Sequence, residues 1–193
     1  KIAYCIGNEF NIQLLNKLSD EKIEDTSAQV LIAVQKGLLL PVYSWNTDEI
    51  EKYKFLHDRV QQASSLLLND AEKKSIRINI GRILLENASI SDTEDKIYEI
   101  ADHLNYSAEL ITNGSEIQKL VEVNLAASGR AKNATAYEPA LRYIKQSMNL
   151  LNGSLENQDP EIRSKMLLQR AECEHLNGNN DIAEDFYNQA INN

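Results

Sequence analysis

The chain has 193 residues, enough to bury a sizeable core as one large or two small domains, and its 42% hydrophobic and 25% charged residues are the usual balance of a soluble globular protein. Twenty basic against twenty-nine acidic residues give a formal charge of -9, which repels a phosphate backbone, and no local basic stripe opposes it, so nucleic acid is not an expected partner. No apolar run approaches the roughly 20 residues needed to span a bilayer and no signal peptide shows, so the expectation is a cytoplasmic chain without a membrane anchor.

In chain order, Ile2 to Ile6 read as a helix end stopped by Gly7 and Asn8. Phe10, Ile12, Leu14, Leu15 and Leu18 form the apolar stripe of a second short helix, ended by Ser19 and Asp20. Val30, Leu31, Val34 and Leu38 recur at helical spacing over a third helix from Glu24 to Leu38, with Thr26 or Ser27 available as caps. Gly37 to Tyr43 then reads as helix stop followed by strand, and Pro41, lacking an N–H, assigns that strand to a sheet edge. Ser44 to Lys52 is polar and turn-rich, and Tyr53 to Leu56 supply a second strand. Three short helices and a two-stranded ribbon are the pattern of a winged-helix domain. The third helix carries Glu24, Asp25, Gln29 and Gln35 with a single lysine, Lys36, whereas a helix reading DNA is rich in Arg and Lys.

His57 and Asp58 fall where the second strand gives way to a helix running from Asp58 to Leu68, which sets imidazole and carboxylate beside helix N-terminal amides. A longer helix follows from Asp70 to Glu86, and another begins near Ser91-Asp92-Thr93-Glu94 and continues through Ile97, Ile100, Ala101 and Leu104. Beyond the break at Asn113-Gly114-Ser115 only helices are expected. An internal repeat is legible there: Ala171, Gly178, Ala183, Tyr187 and Ala190 fall at the small and aromatic positions of a tetratricopeptide (TPR) unit. An earlier unit places Ser128, Tyr137, Ala140, Ile144 and Ser147 likewise, with Leu151 to Pro160 as the connection. Arg170 and Glu174 depart from the apolar preference of the unit. The expected organisation is a mostly α chain: a winged-helix domain over 1–68 with a short two-stranded β ribbon, linker hairpins over 69–115, and TPR-like repeats over 116–193. Two units are few for a solenoid, so the array is expected to continue past Asn193; Lys1 in place of an initiator methionine agrees with a piece of something longer.

Sites of chemistry are sparse. None of the seven glycines opens a phosphate-binding loop, and no nucleophile elbow, His-Glu-x-x-His helix or dinucleotide turn occurs. His57, His103 and His175 lack metal-ligand spacing, so no metal is expected, and Cys5 and Cys173 in apolar patterns read as buried thiols of a reducing compartment. Paired carboxylates such as Glu49-Glu51 read as solvated surface. The surface-contact candidates are Trp45, in a polar loop, and Tyr137, Tyr143 and Tyr187, for which packing is the competing role.

Five blocks resemble, in this order, the predicted ATPase region of large bacterial signalling proteins. They are Cys5-Ile6-Gly7-Asn8-Glu9-Phe10, Gly37-Leu38-Leu39-Leu40-Pro41, Phe55-Leu56-His57-Asp58-Arg59-Val60-Gln61-Gln62-Ala63, Ile80-Gly81-Arg82-Ile83-Leu84-Leu85-Glu86-Asn87 and Arg170-Ala171-Glu172-Cys173-Glu174-His175-Leu176-Asn177-Gly178. Proteins of that type join a kinase-like domain, a STAND-class ATPase, TPR-like helices, a GAF sensor and a histidine kinase. The resemblance implies a non-catalytic segment just after the nucleotide-binding core, with ADP or ATP bound by the parent protein, the upstream NTPase domain as one partner and a protein bound by the repeats as another. Leu56-His57-Asp58 is also similar to the Met-His-Asp motif of STAND ATPases, which implies that His57 reaches the β-phosphate of ADP and, with Asp58, latches the closed state. The alternatives are a stand-alone TPR-type scaffold and a DNA-binding winged-helix regulator.

Overall fold

The computed structural model describes residues 1–45, 49–87, 90–151 and 159–192, with the backbone alone for 90–95. These residues form ten α-helices and a small three-stranded antiparallel sheet, a mostly α fold with a short β ribbon. The chain divides into two compact units, Lys1–Ile83 and Leu84–Asn193.

In the first unit, helix α1 (Ile2–Ile6) leads into strand β1 (Glu9–Phe10) and helix α2 (Ile12–Ser19). Asn11 caps α2 by accepting a 2.7 Å hydrogen bond from the Leu14 amide. Helix α3 (Ile23–Gln35), strands β2 (Leu39–Tyr43) and β3 (Ile50–Phe55) and helix α4 (Asp58–Leu66) follow, and helix α5 (Asp70–Asn87) runs across the boundary between the units.

The third strand is an addition to the expected ribbon. Phe10, assigned by periodicity to the stripe of the second helix, instead pairs with Tyr53 in the order β1-β3-β2. It is 2% exposed, and its ring packs 6.2 Å from Tyr53 and 6.1 Å from Phe55. Aromatic burial of this kind outweighs any helical preference of one residue. Pro41 lies in edge strand β2, opposite Tyr53, in agreement with its missing donor. Neither Thr26 nor Ser27 caps α3, whose N-cap is Lys22. Thr26 is buried inside the helix, where its hydroxyl accepts from Asn16 Nδ2 at 3.1 Å and so ties α2 to α3.

The second unit contains helix α6 (Ile90–Tyr106), a 3-10 turn (Ala108–Leu110), and helices α7 (Gly114–Asn133), α8 (Tyr137–Leu150), α9 (Pro160–Leu176) and α10 (Asn180–Ile191). The backbone of Ser91 to Glu94, where a cap is expected, already lies within α6, and their side chains, like most of the Leu151 to Pro160 connection, lie outside what is described. Asn113 caps α7 through the amides of Ser115 and Glu116, and Asp159 caps α9, with Pro160 in the first turn where its missing N–H costs nothing.

Helices α7 and α8 form an antiparallel hairpin, as do α9 and α10. Small residues allow the close approach: Ala127, Ser128 and Ala140 are 0% exposed. The two serines replace lost helix–helix apolar contact with hydrogen bonds, Ser128 Oγ donating to the Ala140 carbonyl at 2.8 Å and Ser147 Oγ to Val121 at 3.2 Å. Val121, Leu125, Leu141, Ile144, Met166 and Cys173 fill the core between hairpins. Asn105 and Asn124 exchange reciprocal amide hydrogen bonds of 2.7 and 2.9 Å between α6 and α7, which satisfies the fully buried Asn124 side chain.

Candidate functional site

The strand-to-helix junction of the first unit is built by local geometry. β3 ends at Phe55, and Leu56 donates its amide to the Leu38 carbonyl at 3.1 Å. His57, in extended conformation, is the N-cap residue of α4 and makes no side-chain capping bond. Its carbonyl accepts from Val60 N at 2.9 Å, while its imidazole is exposed; Asp58 is exposed in the first turn. An exposed imidazole and carboxylate at helix N-terminal amides can present donors to an anion.

Trp45 is 100% exposed at the end of β2, and residues 46–48 of its loop lie outside the described residues. Tyr137 is half-buried at the start of α8, where its carbonyl accepts from Asn177 Nδ2 at 2.9 Å. Tyr143 is 3% exposed and stacked on Tyr98 with centroids 5.9 Å apart. Its hydroxyl donates to Asp102 Oδ1 at 2.9 Å; burial, with that hydrogen bond and the Asp102 charge, pushes its pKa up to about 12. Tyr143 therefore serves packing between α6 and α8. Tyr187 is half-buried on α10. Tyr137 and Tyr143 lie on α8 and Tyr187 on α10, and none of the three lines the cavity of this unit.

That cavity is an open groove of about 860 Å³ between α6, α7 and α9. Ile97, Leu125, Ala126 and Ile162 supply its apolar lining, and Glu122, Arg130, Asn133 and Lys165 its polar edge. Gln169, buried on α9, donates to the Leu125 carbonyl at 3.0 Å and thereby ties α9 to α7 along the floor. The volume is in the range of ligand-binding clefts. Sequence reasoning did not single out these residues, because they come from three helices distant in the chain. One local signal was present: Gly129, a glycine inside a long helical run, lines the groove.

On α9, the departures at Arg170 and Glu174 form an ionic cluster. Glu174 is 1% exposed and accepts from Arg170 Nε at 2.9 Å and Asn179 Nδ2 at 2.6 Å, with Lys145 Nζ 3.6 Å away. Burial by itself raises the Glu174 pKa; the hydrogen bonds from Asn179 and Arg170 and the charges of Arg170 and Lys145 outweigh it, so the net displacement is downward from 4.5. Cys5 and Cys173 are both buried free thiols, and burial pushes both pKa values up, against a nucleophilic role. No group of three or more His, Cys, Asp or Glu side chains able to hold a metal occurs among the described residues, and no described helix is long and apolar enough to cross a membrane.

Fold and groove together define a helical-hairpin chain with a ribbon-bearing N-terminal unit. Among curated proteins it is similar to "Hybrid signal transduction histidine kinase G" of Dictyostelium discoideum, at 28% identity over 170 residues. The alignment covers 76% of this chain and 5% of that protein, so the chain corresponds to a small part of its relative. No protein-family profile matches the chain, and no solved structure matches it.

Proposed function

We propose that the chain is a non-catalytic regulatory and protein-interaction segment of a multidomain signalling protein, cytoplasmic in location. The groove between α7 and α9 carries this reading: paired helices hold an apolar floor and a polar edge open on one side, the form of a surface that receives a polypeptide. The likeness to a signal-transduction histidine kinase supports the signalling context. In this reading the second unit is a TPR-like arm. The first unit is a winged helix that senses, through His57 and Asp58, whether ADP or ATP occupies the NTPase domain of the parent protein. The exposure of His57 at the N-terminus of α4 favours the sensing role, because an imidazolium there can donate to a phosphate and bias a closed state.

One experiment tests both parts. A photoreactive side chain is placed at Ala126, on the groove, or at exposed Glu138, on α8, in the full-length signalling protein, and cross-linking is compared with ADP and with ATP. The expected result is cross-linking from position 126 only, with a nucleotide dependence that His57→Ala abolishes. Equal yields from both positions remove the interaction reading, and a nucleotide-independent yield reduces the segment to a scaffold.

A further inference from the structure

Helix α3 carries apolar side chains on both of its sides. Thr26 and Val30 are buried against its own unit, whereas Leu31 and Ile32, next along the chain, stand at least half exposed. At about 100° per residue, Asp25, Ala28, Ile32 and Lys36 fall within about 80° of one another, roughly opposite Val30, and Leu31 borders them. A helix that is apolar on two sides ordinarily has a partner on each.

The ends of this outer stripe select the partner. Asp25 lies in the first turn and Lys36 at the C-cap, and neither side chain has an ion-pair or hydrogen-bond partner among the described residues. Acid at one end and base at the other, on one face, is complementary to itself when two copies of the helix run antiparallel. With Asp25 level with Lys36 of the second copy, a two-fold axis passes between Val30 and Leu31, so that the ion pair forms twice. The Leu31 residues of the two copies then lie about 1.5 Å apart along the helix direction, beside the two-fold axis. Ile32 comes level with Gln29 of the second copy, and Ala28 leaves the room that lets the two helices approach.

We propose that the chain pairs with a second copy of itself through α3, antiparallel, about this two-fold axis. Two helices of this length bury less than the roughly 800 Å² per partner of a standard interface, so the dimer is reversible, with a dissociation constant in the micromolar range. The surface belongs to the first unit, and the proposal is independent of the groove.

The test is sedimentation equilibrium of the 193-residue chain across the micromolar range. The parent chain is expected to show a monomer–dimer equilibrium. Asp25→Lys and Lys36→Asp, both at exposed positions, are each expected to weaken it at least fivefold with unchanged circular dichroism. An equimolar mixture of the two variants is expected to recover the parent's affinity, because the mixed dimer regains both ion pairs; recovery also shows that neither variant has lost its fold. Leu31→Cys is expected to form a disulfide-linked dimer under copper–phenanthroline. Gln35→Cys, about 13.5 Å from its mate along the helix direction, is not. Cys5 and Cys173 are buried and do not compete. A parent chain that stays monomeric throughout overturns the proposal and leaves the stripe to a partner of another kind. Dimerisation indifferent to both charge reversals overturns α3 as the interface. Failure of the mixture to recover, or equal cross-linking of Gln35→Cys and Leu31→Cys, overturns the antiparallel pairing.

Discussion

Glu174 shows how a residue that breaks a sequence pattern can still belong to the core. A carboxylate that is 1% exposed is tolerable because Arg170, Asn179 and Lys145 meet it, and Arg170 is itself held over the Phe186 ring at 5.0 Å. Its folded pKa lies below its ordinary value of 4.5, so its contribution to stability is present above that value and lost as the pH falls through the lower folded value. Chemical denaturation at neutral and acidic pH is therefore expected to show Glu174→Gln less stable than the parent by about 3 kcal/mol at pH 7, because Arg170 keeps its charge without its partner. The difference is expected to shrink below pH 4.5. From sequence, Arg170 and Glu174 looked like degeneracy of a repeat; only the positions of Lys145 and Asn179 show that the polar pair is satisfied.

At the scale of the element, three helices end in the same way. Leu38 N bonds to Ala33 O and Gly37 N to Val34 O; Ala136 N to Ala131 O and Thr135 N to Lys132 O; Asn179 N to Glu174 O and Gly178 N to His175 O. Each is a Schellman cap that turns the chain sharply, into a strand after α3 and into the second helix of a hairpin after α7 and α9. The cap needs a left-handed residue, and glycine supplies it at Gly37 (φ 68°) and Gly178 (φ 84°). At the corresponding place after α7 stands Thr135, with φ 60°, a strained conformation for a β-branched side chain. Thr135→Gly is accordingly expected to stabilise the chain by about 1 kcal/mol in urea denaturation. Gly178→Thr is expected to destabilise it by a similar amount, although open space surrounds the glycine, because the cost is backbone strain. The small residues Ala140, Gly178 and Ala183 lie in the two helix pairs, where the sequence led us to expect helices. The sequence did not reveal that Thr135 occupies the turn position of the first pair.

For the whole molecule the governing quantity is charge. Twenty-nine acidic against twenty basic residues oppose the counterion release that drives binding to a phosphate backbone. On α3, the helix that a DNA-binding winged helix would present, Leu31 and Ile32 are 59% and 50% exposed and the first turn is acidic. Duplex DNA at low salt is therefore expected to migrate unshifted in a mobility assay with the chain in micromolar excess. A shifted, salt-sensitive band would favour the DNA-binding alternative.

The sequence by itself determined most of the helical segments, the strand around Leu39–Tyr43 and its place at an edge, a second strand expected over Tyr53 to Leu56 that begins earlier, at Ile50, and ends at Phe55, the junction at His57, and the burial of Cys5 and Cys173. These depend on periodicity, caps and turn residues, all of which act over a few neighbouring positions. Tertiary structure alone decided that Phe10 joins a third strand, since a two-residue strand has no period to read and exists only through its pairing with Tyr53. It also decided the groove. Ile97, Leu125, Ala126, Gly129, Ile162 and Lys165 come together only when α6, α7 and α9 pack, so the surface they form has no local signature beyond the one glycine that propensity alone would have made an alanine.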